Sequence, residues 1–116
     1  MTELKSFEEV SDGPLAFPIK GKKYVHTLSI EAGVALAGVL SGRDKAFQKK
    51  EGVELWKLLL GPLWEEMIAD GVTLEAATRA GVTALADAQY GRRFAEATWE
   101  LGADPETIAK YLEGND

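Results

Sequence analysis

Two periods of apolar residues divide the chain. Near the N-terminus Leu15, Phe17 and Ile19 alternate with other residues, which is typical of a β-strand with one buried face. Residues 24–28 are rich in aromatic and β-branched types, and a lysine-rich segment with one glycine separates the two stretches. This pattern predicts a β-hairpin over residues 14–28. Because an isolated two-stranded hairpin is only marginally stable, we expect it to pack against helices.

After the hairpin, apolar residues recur every three to four positions, which predicts helices. The predicted helices cover residues 29–40, 53–70, 73–90, 92–101 and 104–114. Their predicted N-caps are Ser29, Thr73 and Asp104. The predicted core stripe of the first helix is Ile30, Val34, Ala37 and either Leu40 or Leu36. A polar, basic stretch at residues 43–50 is expected to be a connection.

Two positions leave the helix boundaries open. Pro62 removes a backbone donor, so the second helix either kinks there or stops near Leu60 and restarts with Pro62 at its first position. Gly81 either lies inside the third helix, at a cost of about 1 kcal/mol relative to Ala, or breaks it.

The predicted fold is therefore mainly α, a compact bundle of about five short helices with a small N-terminal β-hairpin. The length of 116 residues fits one domain. We expect residues 1–13, which are acidic and end at a Gly-Pro pair, to be a flexible lead-in. Residues 14–116 then form the single helical domain.

The central run, residues 53–71, is apolar on more than one helical face, yet it is too short and too charged to span a membrane. A domain this small has few places to bury such a segment, so we expect part of it to bind another protein. Trp56 and Trp64 are eight residues apart and share a face with Leu60. The predicted partner-binding residues are Trp56, Leu59, Leu60, Leu63, Trp64 and Met67. The competing interpretation is an ordinary core.

The apolar residues of the hairpin, Phe17, Ile19 and Tyr24, are the predicted self-association residues, since self-association would add burial that a small subunit lacks.

Composition narrows the classes of function. The net charge of −6 opposes binding to nucleic acid or to anionic lipid. The absence of cysteine excludes disulfides and thiolate chemistry. His26 is the single histidine and has no neighbours at metal-ligand spacing, so it is interpreted as a surface residue. Glu96 and Glu100 share a helical face, where paired acids are usually solvated. We therefore predict no catalytic residue, cofactor or metal, and no membrane segment.

A helix-turn-helix is a weighed alternative. Residues 77–82 have the small-residue and glycine pattern of that motif's turn, which would make residues 83–90 the recognition helix. That helix offers only Gln89 as a base reader, and Arg92 and Arg93 lie beyond its end. An Ala-rich packing helix is the preferred interpretation. A small adaptor or regulatory module, including a degenerate DNA-binding fold, stays as the alternative function.

Several short segments together resemble a known family. They are LGPLWEEM at residues 60–67, AGVTAL at 80–85, GRR at 91–93, WELG at 99–102 and DPE at 104–106, preceded by FPI at 17–19. Their order resembles the tail assembly chaperones of long-tailed, siphovirus-type actinobacterial phages, from about Phe17 to Leu112.

The resemblance implies a non-catalytic role. Such chaperones bind the tape measure protein, keep it soluble and help recruit tail tube subunits in the host cell cytoplasm, and they are absent from the mature virion. It also implies a homo-oligomer and a longer, frameshifted form of the same protein as a further partner.

Overall fold

Helices dominate the computed structural model, which describes residues 3–40, 52–102 and 105–114. The strands are β1 (Leu15–Ile19) and β2 (Lys22–His26). The helices are α1 (Phe7–Val10), α2 (Ile30–Leu40), α3 (Gly52–Leu60), α4 (Pro62–Ala69), α5 (Leu74–Tyr90), α6 (Arg92–Leu101) and α7 (Pro105–Gly114). The predicted mainly α fold with an N-terminal hairpin is confirmed. The predicted connection at 43–50 and the N-cap at Asp104 lie outside the described residues.

The hairpin is antiparallel, with Phe17 opposite Tyr24. Its two-residue turn has positive φ at both Lys20 (50°) and Gly21 (81°), as a type I′ turn requires. The alternating side chains of Leu15, Phe17, Tyr24 and His26 are buried under the sheet. The hairpin thus packs one face on the helices, as expected because an isolated two-stranded hairpin is only marginally stable.

The central run divides into two helices at Gly61. This glycine has φ 55° and ψ −127°, and Pro62 begins α4 at its first turn. The restart, one of the two possibilities at Pro62, is therefore the one that forms. Both helices contribute buried side chains, Leu59 and Leu60 from α3 and Leu63, Trp64 and Met67 from α4.

Helix α5 is the centre of the fold and contacts α3, α6 and β1. The hydroxyl of Thr73 accepts a hydrogen bond from the Ala76 backbone N–H at 3.2 Å, which caps the helix as predicted. The helix continues without a break through Gly81 to Tyr90. A helix-turn-helix would need a turn there, so that local interpretation is wrong.

The small residues of α5 allow neighbouring elements to approach its backbone. Against Gly81 lies the indole ring of Trp56: a Cβ at position 81 would be 2.7 Å from the Trp56 Cδ2 atom. Packing of this closeness explains a glycine inside a long helix, where propensity alone opposes it.

The last two helices close the fold. Helix α6 ends at Gly102, which has φ 64°, and the Arg79 guanidinium donates to the Trp99 carbonyl oxygen at 2.7 Å just before that end. Helix α7 packs against α6 through Ile108, whose side chain is fully buried. In the part of the chain that the structure describes, no helix has the length and apolar character of a membrane span.

Candidate protein-binding surface

Most of the predicted partner-binding residues are core residues. The exposed fractions are 2% for Leu59 and Leu60, 7% for Leu63 and Trp64, and 1% for Met67. The side chain of Trp56 is half-buried against α5. The expectation of exposed binding residues is therefore wrong for the five buried side chains, because α3 packs on α5 and α4 packs on β2. Partner binding by these residues stays a prediction, but it does not follow from their exposure.

The predicted self-association residues also face inward. Phe17 and Tyr24 are buried, and Ile19 is half-buried at the edge of the same core. The Phe17 ring packs against Trp99, with 5.4 Å between ring centroids. The alternating side chains that predicted the strand therefore pack within the core of the same subunit. Self-association through these residues stays a prediction.

The prediction that His26 is a surface residue is wrong. Its ring is buried, and its Nε2–H donates to the Leu59 carbonyl oxygen at 2.6 Å. This bond satisfies a carbonyl at the C-terminal end of α3, which has no partner within its own helix. A signal was available, since the two-residue period of β2 places His26 on the same face as Tyr24.

A charged cluster joins the hairpin to α4. The Lys22 ammonium lies 2.7 Å from the Asp70 carboxylate and 3.0 Å from that of Glu66. The Tyr24 hydroxyl donates to Asp70 at 2.8 Å. These hydrogen bonds lower the pKa of the Asp70 carboxyl, whereas burial and then the bond to Asp70 raise the pKa of the Tyr24 hydroxyl. Hydrogen bonds to Asp70 and Glu66 raise the pKa of Lys22. Every group is paired within the cluster, so its role is structural.

Large exposed apolar side chains lie elsewhere, in the first 34 residues above all. In the N-terminal arm, residues 3–13, Leu4, Phe7 and Val10 are spaced three apart and are 95%, 73% and 64% exposed. None of the α1 side chains is buried. The arm coincides with the predicted lead-in, whose flexibility stays a prediction.

The second exposed group begins after β2. Ile30, Val34 and Ala37 were predicted to face the core. Ile30 and Val34 are instead 87% and 66% exposed and Ala37 is exposed too, whereas Leu36 is buried. With Glu31 as its single charge, α2 is apolar on every face, so periodicity could not select the buried one. Leu28, just before the helix, is also exposed.

A groove of about 480 Å³ lies between the arm and α5. Its apolar lining comes from α1, from the start of β1, from the segment that follows β2 and from the C-terminal half of α5. These residues are Phe7, Leu15, Leu28, Ala84 and Ala88. Sequence patterns gave no indication of the groove, because its walls come from segments far apart in the chain.

Arg92 fixes the position of the arm beside this groove. Its guanidinium donates to the carbonyl oxygens of Asp12 at 3.1 Å and Gly13 at 2.7 Å, and its Nε donates to the Asp87 carboxylate at 2.9 Å. The hydrogen bond to Asp87 raises the pKa of Arg92. One side chain therefore joins the arm to the junction of α5 and α6.

The described residues contain no group of three or more His, Cys, Asp or Glu side chains placed to hold a metal ion. The arrangement that the structure does offer is an apolar groove beside an acidic arm, which suits a protein partner.

Comparison with known proteins identifies a family. A family model described as Domain of unknown function (DUF7426) matches residues 4–115. No curated protein and no solved structure matches the chain. Since the family model covers nearly the whole length, the chain belongs to the DUF7426 family.

Proposed function

We propose that this protein is a tail assembly chaperone of a long-tailed actinobacterial phage. In this role it binds the tape measure protein, keeps it soluble and helps recruit tail tube subunits in the host cytoplasm, without catalysis. The observation that carries the proposal is the set of large apolar side chains left in solvent in the first 34 residues. The resemblance of the short segments between residues 17 and 106 supports it independently.

The exposed side chains have the properties expected of a binding surface. Single exposed apolar residues are normal, but Leu4, Phe7 and Val10 lie three positions apart in the N-terminal arm, and Phe7 lines the groove. Fully burying one such side chain contributes about 1.5–3 kcal/mol. Three of them would contribute about 4.5–9 kcal/mol, which is comparable with the roughly 4–15 kcal/mol that association costs and therefore leaves little net affinity.

Weak individual contacts suit a long client. A tape measure protein offers many similar helical segments, and a homo-oligomer of the chaperone would engage several at once, which raises the overall affinity without new contacts. The longer, frameshifted form would add further domains to the same assembly. Tail tube subunits would then be recruited to the coated client.

The alternative function, a small adaptor module, shares the exposed apolar surface. Its DNA-binding version is not proposed, because α5 is continuous where the turn would have to be.

Co-expression tests the proposal. The chain is produced together with a fragment of the tape measure protein from the same phage, and the soluble fraction of the fragment is measured by centrifugation. An unrelated amphipathic coiled coil is the control client. We expect the chain to raise the solubility of the tape measure fragment and not that of the control coiled coil. An equal effect on both clients, or on neither, would contradict the proposal.

A further inference from the structure

The groove beside the N-terminal arm has the size and lining of a binding cleft. Its volume of about 480 Å³ lies within the range of about 300–1,000 Å³ that ligand clefts occupy. Leu15 and Ala84 are buried residues of its lining, and Phe7 and Leu28 are partly or largely exposed beside them. An occupant would therefore meet apolar surface both at the floor and at the rim.

Four polar residues of the lining, Ser11, His26, Asp87 and Arg92, already bond within the subunit. His26 is bonded to the Leu59 carbonyl oxygen, and Arg92 is bonded to Asp87 and to two carbonyl oxygens of the arm. A polar small molecule would find few free donors or acceptors there. Apolar side chains, by contrast, need none, and a cleft of this size accommodates more than one of them.

The charge around the groove selects the flanks of the occupant. Glu8 and Asp87 line it, and the arm contains Glu3, Glu8, Glu9 and Asp12 against the single base Lys5. The positive charge of Arg92 is balanced by Asp87. The rim thus favours positive side chains on the partner and opposes negative ones, because charge complementarity steers association and like charges reject a partner.

We propose that this groove, with Phe7 at its rim, binds the apolar face of an amphipathic helix whose flanks carry Lys or Arg. Leu or Phe side chains at helical spacing fill the groove between α1 and α5, and the basic flanks lie against the acidic arm. This assignment rests on the proposed function for the identity of the natural client, and it adds where the client binds and which chemistry is recognised.

Two synthetic helical peptides test the recognition. They share one face of Leu residues, and the flanks are Lys in one and Glu in the other. Binding to the full chain is measured by fluorescence anisotropy at low salt. We expect the Lys peptide to bind at least about tenfold more tightly, and this preference to shrink as salt rises. Equal affinities would overturn the proposal.

Charge-introducing variants locate the binding site. Phe7→Glu and Ala88→Glu place a carboxylate in the groove at exposed positions, so neither should unfold the chain. Val25→Glu and Ile68→Glu are matched controls at exposed positions outside it. We expect the groove variants to lose at least about tenfold in affinity for the Lys peptide, with the controls near wild type. Binding unchanged by both groove variants would refute the assignment.

Sedimentation without peptide tests whether the groove is instead occupied by a second copy of this chain. If the wild type is a dimer and Phe7→Glu is a monomer, the groove is a self-association site and the proposal fails. The co-expression test keeps the two proposals apart. If the Ala88→Glu variant solubilises the client as well as the wild type does, only the groove assignment is refuted. If the wild type itself has no effect, the chaperone function is refuted.

Discussion

The contact between Gly81 and Trp56 makes a quantitative prediction. Replacing Gly81 by Ala would place a Cβ atom 2.7 Å from Trp56 Cδ2 and 2.8 Å from its Cγ and Cε3 atoms. Since the optimal van der Waals separation of two carbon atoms is about 3.5–4.0 Å, the ring would have to move by roughly 1 Å. The atoms belong to the base of a rigid ring, not to the end of a flexible side chain, so the helix or the ring must shift.

Two effects of opposite sign decide the outcome. Alanine gains about 1 kcal/mol over glycine inside a helix, whereas overpacking of this kind costs about 1–3 kcal/mol. The net result for Gly81→Ala should be a loss of up to about 2 kcal/mol in the free energy of unfolding. Gly38→Ala in α2 is the matched control, because a Cβ there would meet no described atom within 4 Å. The control should gain up to about 1 kcal/mol.

Urea denaturation followed by far-UV circular dichroism measures both variants. The difference between them removes the shared propensity gain and reports the overpacking alone, expected at about 1–3 kcal/mol. Trp56→Phe provides a second test, since a smaller ring relieves the clash. Combined with Gly81→Ala it should recover part of the loss, with a favourable coupling of about 0.5–3 kcal/mol. If Gly81→Ala stabilises as much as Gly38→Ala, the close packing of α3 on α5 is refuted.

Four further substitutions test other parts of the structure. Ile108→Ala removes the one buried side chain described in α7 and should cost about 2–5 kcal/mol of its docking, seen as faster hydrogen exchange in that helix. Trp64→Ala should cost about 3–5 kcal/mol in urea denaturation, whereas an exposed binding residue would cost almost nothing. The pKa of Asp70 is lowered on folding, so the stability that its carboxylate contributes is present above the unfolded pKa of about 3.9 and is lost as pH falls through the folded pKa. Asp70→Asn should therefore lower the urea midpoint near neutral pH and make that midpoint decline less in acid. An unchanged dependence of the midpoint on pH would contradict the bond to Lys22. Arg92→Lys keeps the charge but loses the forked guanidinium donors, so amide hydrogen exchange should become faster in residues 3–13 and not in α5. Unchanged hydrogen exchange in residues 3–13 would show that Arg92 does not hold the arm.

Local signals in the sequence predicted most of the described elements, although they did not predict α1. Alternation in residues 15–19 predicted β1 and its inward face, and the aromatic and β-branched residues at 24–28 predicted the second strand but not the inward side chain of His26. The hydroxyl of Thr73 predicted one helix start, and Pro62 limited the central run to a kink or a restart, since both residues act on the backbone within one turn. These features depend only on neighbouring residues, and for that reason they could be predicted.

Features that depend on distant residues could not be predicted. The continuity of α5 through Gly81 depends on Trp56, which lies 25 positions earlier and supplies the packing that a glycine permits. The buried face of α2 depends on what covers it, because its own residues are apolar all round. The groove is the extreme case, since the arm, the hairpin and α5 each contribute a wall.

The binding surface that we propose lies at the beginning of the chain and not in its middle. Central residues such as Trp64 and Met67 are apolar because they form the core, and the break at Gly61 allows a small domain to bury them. Several of the most exposed apolar residues instead lie in segments with little burial of their own, the N-terminal arm and α2. Segments of that kind have low local stability, so a partner gains apolar contacts there without opening the core. Binding at the arm would then order residues 3–13 around the partner while the fold beneath, centred on α5, stays as it is.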